Sequence, residues 1–296
     1  MTTPEPGVYP DVPFGEYCQW DAVNNSSLGP LLKSPAHYRA AQTAPRKDTE
    51  AFRLGRLVHQ TLLEPENLLT HHVVEPDLTA GIVRADGSDY SNVRATKEHK
   101  ERYKEWAASV APKEIVSQDW VDRSMAMLAS LKQNERARTW LTESSRRETS
   151  IVWDEPTTGI RCKSRLDLWC ECDCLIPDLK TTADICDFSR SIGKFSYFRQ
   201  AAFYCDAAEA ATGKRHDCAF IAVETEAPFS VRAAVLDDDS LYAGRAQYRK
   251  ILRTLKECRE RDDWPGPSNP DYWRTPSWAT QGEEIELTIN GETITI

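Results

Sequence analysis

Hydrophobic positions recur along this chain with two different periods, and the change between them divides it. In "TEAFRLGRLVHQTLLEP", Phe52, Leu54, Leu57, Val58, Thr61 and Leu62 fall at helical spacing, and Pro65 ends the run. Upstream, "SSLGPLLKSPAHYRAAQ" reads as a Ser-capped helical start with Pro35 opening a further turn. Residues 79–100 are polar, contain Gly81 and Gly87, and read as a loop; from about Lys97 to Glu143 the helical pattern returns. The period then drops to two. "ETSIVWDE" (148–155), "GIRCKSRLDLW" (159–169) and "CLIPDLKTT" (174–182) have strand character, with Thr157-Thr158-Gly159 as a turn. "SRSIGKFSYFRQAAFYCDAAEAATG" follows as one helix closed by Gly213, then strands in "DCAFIAVETEAP" and "SVRAAVLDD", then the long helix "SLYAGRAQYRKILRTLKECRER".

This order predicts a mixed α/β (α+β) fold, one central mixed sheet flanked by helices. Residues 1–25, rich in Pro, Gly and Asn, read as an arm; residues 26–278 form a single domain, with a helical part over 26–145 and a core over 146–262. The segment "WPGPSNPDYWRTPSWATQ" reads as irregular chain draped over a surface. In the tail, residues 279–296, Asn290-Gly291 between two alternating runs predicts a β-hairpin. Such a hairpin serves either the protein's own surface or a partner.

Composition narrows the class. Hydrophobic content of 40% and charged content of 28% belong to a globular protein, and no apolar run approaches the ~18 residues of a membrane helix. The start of the chain lacks the basic and apolar regions of a secretory leader, so an intracellular protein is expected, with no membrane partner. The net charge of -9 excludes a generalised nucleic-acid coat but not an enzyme that grips phosphates locally. Of nine cysteines, Cys170, Cys172 and Cys174 alternate. That spacing departs from zinc-site pairs and reads as thiols in a row on one strand face.

The chemistry concentrates around "KSRLDLW" and "PDLKTTAD". Buried charge is costly unless it is paired or bound to metal. If the two strands are antiparallel neighbours joined near Cys172-Asp173, Asp167 faces Asp178, and Lys180 leaves the same face as Asp178. Two carboxylates suit Mg²⁺ or Mn²⁺, and a lysine beside them can hold water and stabilise phosphate charge. Taken alone, Asp178 and Lys180 also fit a structural ion pair. Arg161, Lys163 and Arg165 share the parity of Asp167, as a cationic row towards a phosphate backbone or as a solvated face. Gln200 and Tyr204 stand one helical turn apart, which packing explains equally well. His59 lies on the side of its helix that carries Gly55, whose presence in mid-helix suggests close approach of another backbone. Glu148 opens the first strand and offers a further carboxylate.

Together "GRLVHQ", "ETSIVW", "TGIRCKSRLDLW", "PDLKTTAD" and "RQAAFYCDA" resemble the PD-(D/E)XK nuclease superfamily, most closely the C-terminal nuclease of the RecE/exonuclease VIII type, in the group of RecB-like and lambda-type exonucleases. The resemblance runs from about Ser26 to Trp278. It implies 5′-to-3′ digestion of linear double-stranded DNA to a 3′ single strand. By position, it implies Asp167, Asp178 and the Leu179 backbone carbonyl as metal ligands with His59 and Glu148 assisting, Lys180 orienting the attacking water, and Gln200 and Tyr204 positioning site and DNA. Arg190, Lys194 and Arg199 beside the Gln-Tyr helix become candidates for DNA contacts. Two Mg²⁺ or Mn²⁺ ions, a homo-oligomeric ring and a single-strand annealing partner are implied in the same way. An iron–sulfur cluster is not expected, since only Cys258 follows Cys218 where such relatives carry a cysteine trio. Leu166 stands where the superfamily name has proline, which supplies no ligand. The alternative is a catalytically silent DNA-end-binding or recombination-accessory protein of the same fold.

Overall fold

The computed structural model describes residues 3–45, 49–64, 68–269, 273, 286–289 and 292–295. The expected hairpin turn Asn290-Gly291, the helix-ending Pro65 and most of the Trp-rich segment lie outside these residues. The strands on either side of that turn, β9 (Glu286–Ile289) and β10 (Glu292–Thr295), pair antiparallel with Glu292 opposite Ile289.

The protein is mixed α/β, as its two periods imply. The arm is more ordered than its composition suggests. It forms strand β1 (Gly7–Tyr9) and helix α1 (Phe14–Gln19). A 3₁₀ helix over Asn25–Leu32 follows, capped by Asn24 with Ser27 closing the reciprocal bond, and Ser34 caps α2 (Pro35–Thr43). Thr49 caps α3 (Glu50–Leu63), which buries Leu54, Leu57, Val58 and Leu62 on one side. The predicted long helical stretch is divided. Short α4 (Leu68–His71) leads into β2 (His72–Val74), which pairs in parallel with β3 (Glu114–Val116); α5 (Lys97–Val110) lies between these strands in the chain, and α6 (Gln118–Gln133) and α7 (Glu135–Glu143) follow them. Three-residue strands are too short for a period of two to register against the helices around them.

The core strands are β4 (Arg146–Asp154), β5 (Arg161–Trp169), β6 (Leu175–Thr182), β7 (Asp217–Glu224) and β8 (Val231–Val235). The expected single sheet is instead two three-stranded sheets, β1-β4-β5 and β6-β7-β8. They join at one antiparallel bridge, Cys170 to Leu175, in the register anticipated for the β5–β6 turn. Beyond that bridge the strands part. Cys172 and Cys174 lie in this turn, so the three thiols form no row on one strand face.

Helix α8 (Phe188–Lys194) and helix α9 (Tyr197–Thr212) replace the single helix expected, separated at Ser196, whose φ is 56°. They carry the crossover from β6 to its parallel neighbour β7. Gly213 closes α9 in the left-handed conformation. Helix α10 (Asp238–Arg261) crosses α9 at Gly244, where a Cβ would collide with the Phe198 carbonyl, so glycine is required there. Gly55 has open space around its Cβ direction, so the anticipated close backbone approach does not occur.

Strand β7 is apolar on both faces. Phe220 and Ala222 join the core built with α9 and α10, while Ala219, Ile221 and Val223 pack with Leu54, Val58, Met127 and Leu131 of α3 and α6. Helices thus cover both sides of β6-β7, the arrangement that drives parallel strands towards continuous hydrophobic sequence. Charged residues on β6 stand out against that background.

Candidate metal centre

The centre forms where β5 and β6 separate. Leu179 N–H, turned into the gap, donates not to a strand carbonyl but to Asp167 Oδ2 at 2.9 Å. Its carbonyl meets His59 Nε2 of α3 at 3.1 Å, and His59 Nδ1 lies 3.6 Å from Asp167 Oδ2. Across the β4–β5 ladder every position from Arg146 to Asp154 pairs except Glu148, which stands opposite Asp167. Glu148 has φ 44°, a left-handed conformation sparsely populated by non-glycine residues and concentrated at functional sites. One ligand atom from each of His59, Glu148 and Asp167 falls within 4.8 Å of the others.

Asp178 faces the α9 side of the gap and is 1% exposed. Lys180 forms an ion pair with it, as anticipated, and its ammonium also lies 4.8 Å from the ring centre of Tyr197. The Lys180 ammonium lies at Asp178 Oδ2, whereas Asp178 Oδ1 has no hydrogen-bond partner among the described residues. An open oxygen on a buried carboxylate is unfavourable unless a further cation or donor completes it.

Electrostatics agree. Burial, then the neighbouring Asp178, pushes the Asp167 carboxyl up to about 7. Burial and Asp167 raise Glu148, although Arg165 opposes them through a 2.6 Å contact to Glu148 Oε2. Burial pulls Lys180 down, but Asp178 and Asp167 outweigh it, so its ammonium form is favoured. Burial lowers His59 and favours the neutral, ligating imidazole. Crowded carboxylates pushed above their usual range, an oxygen-rich donor set and an open oxygen on a buried carboxylate fit a hard divalent cation such as Mg²⁺ or Mn²⁺.

Gln200 and Tyr204 point their polar tips at each other, Nε2 to hydroxyl at 2.9 Å. Burial, then Asp178 and Asp167, raises the Tyr204 phenol well above its usual value, which sets it beside the carboxylates. Tyr197 went unnoticed in the sequence, although 197, 200 and 204 share one helical face.

The cationic row does not lie open. Arg161 binds Asp154 at 2.5 Å and the Pro4 carbonyl at 3.0 Å. Lys163 is 5% exposed and donates to the carbonyls of Tyr17 at 2.8 Å and Trp20 at 2.7 Å. Arg165 joins Glu148 to the Val12 carbonyl. Arg199, also buried, donates to Asn25 Oδ1 at 2.9 Å. These four hold the arm and the 3₁₀ segment to the core, so neither Lys163 nor Arg199 presents an exposed cation. The arm's contacts span more than a hundred residues of sequence, beyond any local pattern. Arg190 and Lys194 on α8 are exposed, Arg190 beside Asp187 at 3.5 Å.

Comparisons with known proteins identify the family and the fold. A family described as a PDDEXK-like domain of unknown function matches residues 24–276, and the chain belongs to it. Its membership of the PD-(D/E)XK nuclease superfamily supports a nuclease with a divalent-metal site. The crystal structure of a Eubacterium rectale protein provisionally described as an exonuclease superposes with a TM-score of 0.55 at 13% identity, covering 89% of this chain and 94% of that one. At this identity the likeness concerns the fold. A phage-related exonuclease from Haemophilus somnus covers 57% of this chain and 85% of its own at 10% identity, with a TM-score of 0.29. No curated protein sequence matches. No helix among the described residues is long and apolar enough to cross a membrane.

Proposed function

We propose that this protein is a metal-dependent exodeoxyribonuclease that digests linear double-stranded DNA from 5′ ends and leaves 3′ single strands for recombination or repair. The observation that carries the proposal is the gathering of His59, Glu148 and Asp167 ligand atoms within 4.8 Å beside the buried Asp178–Lys180 pair. Asp167, Asp178, Glu148, His59 and the Leu179 carbonyl would hold one or two Mg²⁺ or Mn²⁺ ions. A divalent cation there supplies Lewis-acid stabilisation of phosphate charge and a lowered pKa for bound water.

The chain's own groups do the rest. Lys180, kept as an ammonium by its carboxylate neighbours, orients a water and donates towards phosphate oxygens. Tyr197 and Asp178 limit its rotamers. Arg165 holds Glu148 towards Asp167, and the Gln200–Tyr204 bond stiffens the α9 face. Arg190 and Lys194 remain the exposed candidates for contacts with the DNA backbone. A homo-oligomeric ring and a single-strand annealing partner belong to the same proposal.

The test is digestion of linear duplex carrying a 5′ label, with Mg²⁺ and with chelator. Metal-dependent release of the label is expected from the wild-type chain, and a loss of at least about a thousandfold in Asp178→Ala and Lys180→Ala. Prior loss of a 3′ label refutes the polarity, and cutting of circular DNA refutes the need for an end. Undiminished digestion by both variants refutes the site, and DNA-end binding without any digestion would favour the silent alternative.

A further inference from the structure

Glu148 and Arg165 line a cleft of about 870 Å³, and one of its walls lies outside the matched family. Residues 10–15 of the arm form that wall, whereas the family begins at residue 24. The wall is fastened at three places: β1 pairs along β4 from Gly7 opposite Val152 to Tyr9 opposite Ser150, Lys163 holds the carbonyls of Tyr17 and Trp20, and Arg165 Nη1 donates to the Val12 carbonyl at 2.6 Å. It is therefore part of the site's architecture and not a loose end.

On this wall Phe14 is 54% exposed. A single exposed apolar side chain is ordinary on a protein surface. Phe14 differs in being oriented: its ring stacks on Tyr17 with centroids 6.2 Å apart at 24°, and the Arg165 guanidinium lies 5.9 Å from its centre. Arg165 also binds Glu148, so the ring adjoins the carboxylate cluster through one shared side chain. The cleft's arginines, Arg56, Arg146, Arg147 and Arg165, face an equal number of lining carboxylates, including Glu114 and Glu148. Balanced charge gives little net attraction for a phosphate backbone, so a strand held here needs a contact that does not depend on charge. Base–aromatic stacking is such a contact, and it tolerates any sequence because every base has a π-face.

We propose that Phe14 is a stacking platform for an unpaired nucleobase of a nucleic-acid strand lying in this cleft. The inference rests on the nuclease reading of the adjoining centre, and its test reads stacking without cleavage. Single-stranded oligonucleotides carrying one 2-aminopurine, moved position by position, are titrated with the full chain in chelator. Quenching confined to one position is expected, and Phe14→Leu should abolish it and raise Kd about 5- to 100-fold, while Phe14→Tyr retains both. With the wild-type chain, an abasic site at that position should weaken binding by a similar factor. This arm leaves the protein unaltered, so a negative result overturns the platform even if Phe14→Leu does not fold, and Phe14→Tyr assigns a positive one. Quenching and affinity within about twofold of wild type in Phe14→Leu, or no abasic position that weakens binding, overturns the platform. Intact stacking with no digestion of DNA in Mg²⁺ overturns the nuclease reading instead, so the two failures are distinct.

Discussion

Two buried aspartates on opposite sides of α9 differ in how far their neighbours satisfy them. Asp206, on the α10 side, accepts from Arg245 Nε at 2.7 Å, Arg249 Nη2 at 3.0 Å and the Tyr248 hydroxyl. Asp178, equally withdrawn from solvent, meets the Lys180 ammonium at Oδ2 and has no partner for Oδ1 among the described residues. The first carboxylate is complete as it stands. The second is complete only with something added, and its neighbours Asp167 and Glu148 compound the demand. Satisfaction, and not burial, marks the difference.

The comparison predicts stability responses of different size. Removing Asp206 leaves two guanidinium groups and a phenol without their acceptor, so Asp206→Ala should lose about 3 kcal/mol. In a protein of this size that lowers Tm by roughly 6–12 °C in a thermal melt. Asp178→Asn relieves repulsion with Asp167 but unpairs the Lys180 ammonium, so it should lower Tm by less than Asp206→Ala does while eliminating digestion. A Tm loss for Asp178→Asn as large as that for Asp206→Ala would show that both are structural.

A second consequence concerns metal. Mn²⁺ at a hundred times its Kd should stabilise the wild-type chain by about 2.7 kcal/mol, through binding to the folded state alone. Asp167→Asn and Asp178→Asn should lose most of that shift, and Asp206→Asn should keep it from its lower starting Tm. An equal Mn²⁺ effect in all variants would place the ion elsewhere.

The smallest effect is one of pH. The Asp167 carboxyl, pushed up to about 7 when folded, starts from 3.8 in the unfolded chain. Between those values the folded state keeps a proton that the unfolded state releases. The contribution is therefore fully present below about pH 4 and is lost as pH rises through 7. Metal-free protein should weaken over that window by at most ~1.4 kcal/mol per pH unit from this group, and Asp167→Asn should flatten the slope in equilibrium unfolding. An unchanged slope in that variant refutes the assignment.

Much of the centre was legible before folding. The spacing of Asp178 and Lys180 on one strand, the β5–β6 turn register and the His59 helix all follow from periodicity and turn chemistry, and Cys170 does pair with Leu175 as that register requires. The β2–β3 pair was not legible, because three-residue strands carry too little pattern. Nor was the break between β5 and β6, because strand alternation says nothing about where a ladder stops. The cations of β5 misled for a related reason: parity places Arg161, Lys163 and Arg165 on one face but not what covers that face, and here the arm does.

What the sequence determined by itself was therefore local: which residues form helix or strand, which side chains share a face, and which acids and lysine could meet across one turn. These follow from the periods 3.6 and 2.0 and from the short reach of a turn. Tertiary structure decided the rest. It opened the gap that Asp167 bridges, turned Glu148 into the left-handed conformation, left Asp178 Oδ1 without a partner, and brought Phe14 to the cleft. Each depends on segments far apart in the chain meeting at ångström precision, and contacts of that kind arise from packing the whole core.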